Sequence, residues 1–200
     1  MKLRWSGHLG LVAASALIST HCFPRVDRVA LHDPRLTQEA RRWLADAEDE
    51  VAIADVGLEE ALTRQDEAKA FRSYVSRDVH PNWPRSAAAN GARERLSALV
   101  ERRLDLAHIE VESARQRVAL AQAMMVRTHA ETAVRHDIST YDLTPMDEAV
   151  QQERQQLDQL RDRLEQQRAA VDEATVQWWQ AYGAYLQSGG ANTILWVWDE

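Results

Sequence analysis

The sequence predicts an all-α chain: an antiparallel bundle of three long helices with coiled-coil-like heptad seams. Three observations point to it. Apolar residues recur every seven positions along three long stretches. Gly and Pro are few, 7 and 5 in 200 residues. Pro34, Pro81, Pro84 and Pro145 fall at the edges of those stretches rather than inside them. A strict seven-residue apolar repeat keeps one stripe of a helix facing a neighbour over its whole length. A chain of 28% charged residues with so little Gly and Pro suits long helices better than a sandwich or barrel.

The first helix is expected from Asp33 as N-cap, with Pro34 at the first helical position where its missing N–H costs nothing, to about Arg77. Ala40, Ala47, Ala54, Ala61 and Ala68 repeat every seven residues, and Leu44, Val51 and Leu58 fill the alternate seam position. Small residues along one row let two helix axes approach closely. On that register Ala54→Leu or Ala114→Leu overpacks a seam, whereas Ala52→Leu does not. His80-Pro81-Asn82-Trp83-Pro84 stops the helix, because each proline pushes the residue before it toward extended geometry.

Ser86 is the next N-cap, and the second helix is expected from Ala87 to His136. Its seam pairs Leu104, Val111, Val118 and Met125 with Val100, Ala107, Ala114 and Ala121. A second apolar row, Leu99, Leu106, Ile109, Leu120 and Met124, lies on another face. A helix with two apolar faces touches two neighbours, so this one is central. Residues 137–143 form a polar connection. Thr144-Pro145-Met146-Asp147 starts the third helix in the manner of a capping box. Val150, Leu157, Leu164, Val171, Trp178 and Tyr185 form its seam, with Met146, Glu153, Leu160, Gln167, Ala174 and Ala181 at the alternate position. Glu153 and Gln167 are either polar register markers or solvated positions where helices splay. Ser188-Gly189-Gly190 closes the helix, because Gly takes the left-handed conformation without cost.

Outside the helices lie three further segments. Residues 1–21 read as a signal peptide, basic at Lys2 and Arg4 and then apolar from Leu9 to Ile18, too short a run to span a bilayer. Residues 22–32 are expected to be a tether, 33–190 the helical bundle, and 191–200 an aromatic tail holding Ile194-Leu195-Trp196-Val197-Trp198. Cys22, the chain's only cysteine, ends the signal-like segment. An apolar run followed by Ser19-Thr20-His21-Cys22 resembles a bacterial lipoprotein precursor, in which the cysteine becomes the lipidated first residue. The resemblance implies lipidation at Cys22, and Phe23 rather than Asp after it implies the periplasmic face of the outer membrane. The same residues also fit an ordinary cleaved signal, after Ala14-Ser15-Ala16, with Cys22 left as a free thiol.

Residues 135–149, followed by a long helix ending Leu186-Gln187-Ser188-Gly189-Gly190, also resemble faintly the closing helical segment of outer-membrane efflux proteins. The turn lacks Gly, and the barrel strands and second internal repeat of that family have no counterpart, so an accessory of such an assembly is what the likeness allows.

The formal charge of −7 becomes −9 in a chain starting at Cys22, which argues against nucleic acid as a partner, since a phosphate backbone is bound through clustered positive charge. Catalytic and cofactor motifs are not found: no Ser-His-Asp order, CxxC, HExxH or Gly-rich phosphate loop. His129 and His136 share a helix face, and His108 with Glu112 makes an i,i+4 pair, but no third or fourth metal ligand accompanies either. The expectation is a non-enzymatic scaffold or binding element without cofactor or metal, anchored to the membrane through an N-terminal lipid, with an envelope protein partner and a capacity for homo-oligomers. Up-down-up topology brings Trp83, Trp178, Trp179, Tyr182 and Tyr185 together with the tail at the end of the rod far from the anchor. Trp83, Trp179, Tyr182, Trp196 and Trp198 are the candidate partner-binding residues.

Overall fold

The computed structural model describes residues 26–79 and 84–190. They form three long helices: α1 (Gln38–Tyr74), continued by a π-helical turn over Val75–Val79; α2 (Ala87–Arg135); and α3 (Thr144–Gln187). At 1.5 Å per residue, the 49 residues of α2 make a rod about 74 Å long. The all-α, antiparallel three-helix architecture is the expected one, and α2 is central. It packs along most of α1 on one side and α3 on the other, while α1 and α3 have little direct contact with each other.

The α3 seam is buried or half-buried at every heptad position from Met146 to Tyr185. In α2, Val100, Leu104, Ala107, Val111, Ala114 and Met125 are buried. In α1, Ala40, Leu44 and Ala61 are buried, with Ala47, Val51, Ala54, Leu58 and Ala68 half-buried between and beyond them. Charged pairs mark the register of neighbours: Arg64 Nε to Glu110 at 3.4 Å, Arg72 Nε to Glu101 at 2.7 Å, and Arg163 Nη1 to Glu112 at 3.1 Å. Glu110 sits between Arg64 of α1 and, at 4.0 Å, Arg168 of α3, so one carboxylate on the central helix touches both flanks. Pairs this exposed are worth about 0–1 kcal/mol each, so they report register more than they hold the fold.

Helix ends follow side-chain chemistry, with two departures from expectation. Ser86 caps α2 as predicted, its hydroxyl accepting from the Ala89 N–H at 3.1 Å. α1 instead starts one turn late. Thr37 is its N-cap, accepting from the Ala40 N–H, because the Asp33 carboxylate is taken by the Arg35 backbone N–H at 2.9 Å and by the Arg35 guanidinium. Those hydrogen bonds hold Asp33 at a pKa of about 2. At α3, Asp142 rather than Thr144 supplies the side-chain acceptor, taking the Thr144 N–H at 3.0 Å.

Both α2 and α3 close in Schellman motifs. Gly189 takes a φ of 86°, the Gly189 N–H donates to Leu186, and the Gly190 N–H donates to Tyr185. A Cβ on Gly190 would sit 2.4 Å from the Tyr185 ring, so glycine there is a packing requirement. At the end of α2 the left-handed residue is Asp137, φ 52°, with the Ile138 N–H bonded to Ala133.

The polar seam residues do not mark splayed helices. Glu153 is buried and accepts a hydrogen bond from the Gln116 side-chain amide, which also donates to the Glu153 backbone carbonyl at 3.1 Å. Gln167 donates to the Arg102 carbonyl at 3.1 Å. Each ties α3 to α2.

Candidate functional site

Two ends of the rod differ in kind. At one, the end of α1, the start of α2 and the end of α3 share an apolar cluster: Val75, Ala89, Leu96, Leu99, Trp178 and Tyr185 are its large or central members. Trp178 is fully buried and stacks on Tyr182, ring centroids 5.1 Å apart and planes 10° from parallel. Trp179 meets the Trp178 ring edge-on at 4.5 Å. Such pairs add about 0.5–1.5 kcal/mol beyond burial. Three elements converge here, so α3 needs a wider apolar stripe than its single heptad row, and Tyr182 supplies it.

The predicted partner-binding residues therefore divide. Trp179 is 48% exposed and faces out beside the buried aromatics, whereas Tyr182, 5% exposed, belongs to the core and leaves the docking set. Trp83, Trp196 and Trp198 lie outside the described residues, as does Cys22.

At the other end, residues 26–32, which fall within the expected tether, pack against the helices. Val29 and Leu36 are buried with Ala40, Leu44 and Ala133, and Ile138 and Tyr141 pack against them. The Val29 N–H donates to His129 Nδ1 at 3.1 Å, and the Asp27 N–H to the Tyr141 hydroxyl at 3.3 Å. An accepting Nδ1 is an unprotonated one, so the His129 proton sits on Nε2, which points toward the Glu48 carboxylate 3.6 Å away. Burial lowers the His129 pKa; Glu48 opposes that and Arg28 adds to it. His129 is thus a structural latch for the N-terminal segment. Spacing with His136 hinted at a metal ligand, but what identifies the latch is a backbone N–H a hundred residues away. Among the described residues, His, Cys, Asp and Glu form no group of three or more suited to a metal ion, and no helix is long and apolar enough to cross a membrane.

A third feature was not anticipated. Between α1 and α2 runs an open groove of about 730 Å³, walled by Ile53 and Val56 on one side and by Leu120 and Met124 on the other. Ala54, expected in a tight seam, lines this groove instead. The predicted second apolar row of α2 explains half of it: Leu99 is buried near the aromatic end, whereas Met124, toward the other, is 42% exposed.

Compared with protein-family models, curated proteins and solved structures, the chain matches none.

Proposed function

We propose that the protein is a non-enzymatic envelope lipoprotein: an exported helical rod, anchored through a lipid on Cys22 at the periplasmic face of the outer membrane, that presents a binding surface at its far end. The observation that carries this reading is the latch. His129 and Tyr141 hold residues 27–29 against the end of α2, only a few residues after Cys22. This supports an anchor at that end, with exposed Trp179 at the other, roughly the length of a helix away. A lipid at one end and an exposed tryptophan beside a rigid aromatic cluster at the other suit a spacer that reaches a protein partner, since tryptophan anchors binding hot spots. Several acyl chains on one cysteine make such anchoring stable.

The test is fractionation with labelling. Cells expressing the wild type should show the protein in outer-membrane fractions with a labelled fatty acid attached, and Cys22→Ser should release it unlabelled. A wild type that is already unlabelled and released refutes the anchor. Crosslinking from position 179, compared with Trp179→Ala, then asks whether the far end holds a partner.

A further inference from the structure

We infer that the groove between α1 and α2 is a self-association surface, filled by the same groove of a second copy with the two rods side by side and pointing the same way. Its apolar content is more than the described residues cover: Ile53 is 64% exposed, Val56 55% and Met124 42%, gathered within about 20 Å of helix. Gly57 lies on the groove wall, and a Cβ there would meet nothing within 4 Å.

Charge decides both the occupant and its orientation. The α1 wall carries Glu50 and Glu60, and the α2 wall carries Arg117. All three are exposed, and Glu50 and Arg117 have no ion-pair partner among the described residues. The pairs Arg64–Glu110 and Arg72–Glu101 fix the level of one helix against the other and place Arg117 within about one turn of Glu60. With the helices of the two copies aligned, two such grooves stack face to face about a two-fold axis in one of two ways. An axis across the helices lays α1 on α1 of the second copy and sets Glu60 over the acidic stretch Glu48-Asp49-Glu50, which repels. An axis along the helices lays α1 on α2 of the second copy. It sets Glu60 over Arg117 twice, and Ile53 and Val56 over Leu120 and Met124. The second arrangement is self-complementary, as a closed dimer interface must be, and it makes a four-helix bundle whose core is the groove.

This inference stands apart from the lipid anchor: failure of Cys22 labelling leaves it untouched, and a monomer leaves the anchor untouched. The experiment is sedimentation equilibrium on the full-length chain carrying Cys22→Ser, with helicity of every variant checked by circular dichroism. A mass of twice the chain is expected at micromolar concentration. Arg117→Glu and Glu60→Arg should each weaken the dimer about tenfold or more, and the double reversal should restore it. Gly57→Gln fills the groove wall while improving helix propensity, so it should give a monomer that stays fully helical. A monomeric wild type overturns the inference, as does a double reversal no tighter than the single ones. If the wild type is monomeric and deleting residues 191–200 opens the groove to an apolar dye, the tail is the occupant and the dimer is wrong.

Discussion

Acidification should weaken this fold through one histidine, by an amount with a definite upper bound. In the folded chain His129 accepts the Val29 N–H on Nδ1, and a proton there would face that N–H directly. Burial lowers its pKa, so between the unfolded value of 6.5 and the lower folded value the unfolded chain takes a proton that the folded chain refuses. Stability therefore rises with pH across that window and is lost as pH falls through it. Between about pH 7.5 and about pH 5.5 the loss is bounded by RT ln(1 + 10), about 1.4 kcal/mol, the limit in which the folded imidazole takes up no proton. For a chain of this size that bound is a fall of about 3–6 °C in Tm. The assay is thermal melting of the wild type and of His129→Gln at both pH values. The variant is less stable throughout, but it lacks the extra loss at low pH, and the remaining histidines cancel in the difference. Equal pH dependence in the two chains would refute the reasoning. Amide exchange at Val29 offers a second readout: it should quicken at low pH before the helices do.

Three further outcomes are expected. Ala61→Leu, at a buried seam position beside Val111 and Ala114, should cost about 1–3 kcal/mol, whereas Ala54→Leu, on the groove wall, should melt close to the exposed control Ala52→Leu at concentrations too low for self-association; equal melting of Ala61→Leu and Ala52→Leu would break the register. Asp137→Gly should stabilise by about 0.5–1 kcal/mol, since it relieves a left-handed residue and removes a negative charge from a helix C-terminus, while Gly190→Ala should destabilise because its Cβ strikes the Tyr185 ring; denaturant melts read both. Gln116→Ala deprives a buried carboxyl of its donor and should cost about 1–3 kcal/mol, yet Glu153→Leu, which removes the carboxyl itself, should be near neutral or stabilising.

What was legible in the sequence was whatever repeats. The heptad rows of α3 and α2 predicted their buried faces from Val100 to Tyr185, and the two rows on α2 predicted its central place. Start and stop signals worked where one residue acts alone, as at Ser86 and Gly189. They slipped where a side chain had a competing partner: Asp33 reads as a cap until Arg35 claims its carboxylate, and the helix waits for Thr37. The latch was invisible, because the His129–Val29 bond joins residues a hundred positions apart and neither has a distinctive neighbour. Periodicity also cannot say where two seams part. The alanine row of α1 continues unbroken through Ala54, yet the exposure of Ile53 and Val56 there depends on what α2 presents opposite. Among the aromatics, Trp178 and Trp179 are adjacent in sequence, and only the helical period separates the buried ring from the exposed one.

An odd number of antiparallel helices leaves residue 26 and Gly190 at opposite ends of the rod. Tension applied between residue 26 and Gly190 therefore runs along the helix axes, and it must slide α1 past α2 and α2 past α3 rather than peel either pair open. In sliding, the whole length of an interface yields at once, whereas in peeling it gives way one turn at a time. Pulled this way, the molecule is a stiff strut, and pulled between residue 26 and Ser139, which sit at one end, it is a zip. Single-molecule stretching along the two geometries should show the first rupturing at the higher force, with α2 as the member that carries load between the flanking helices.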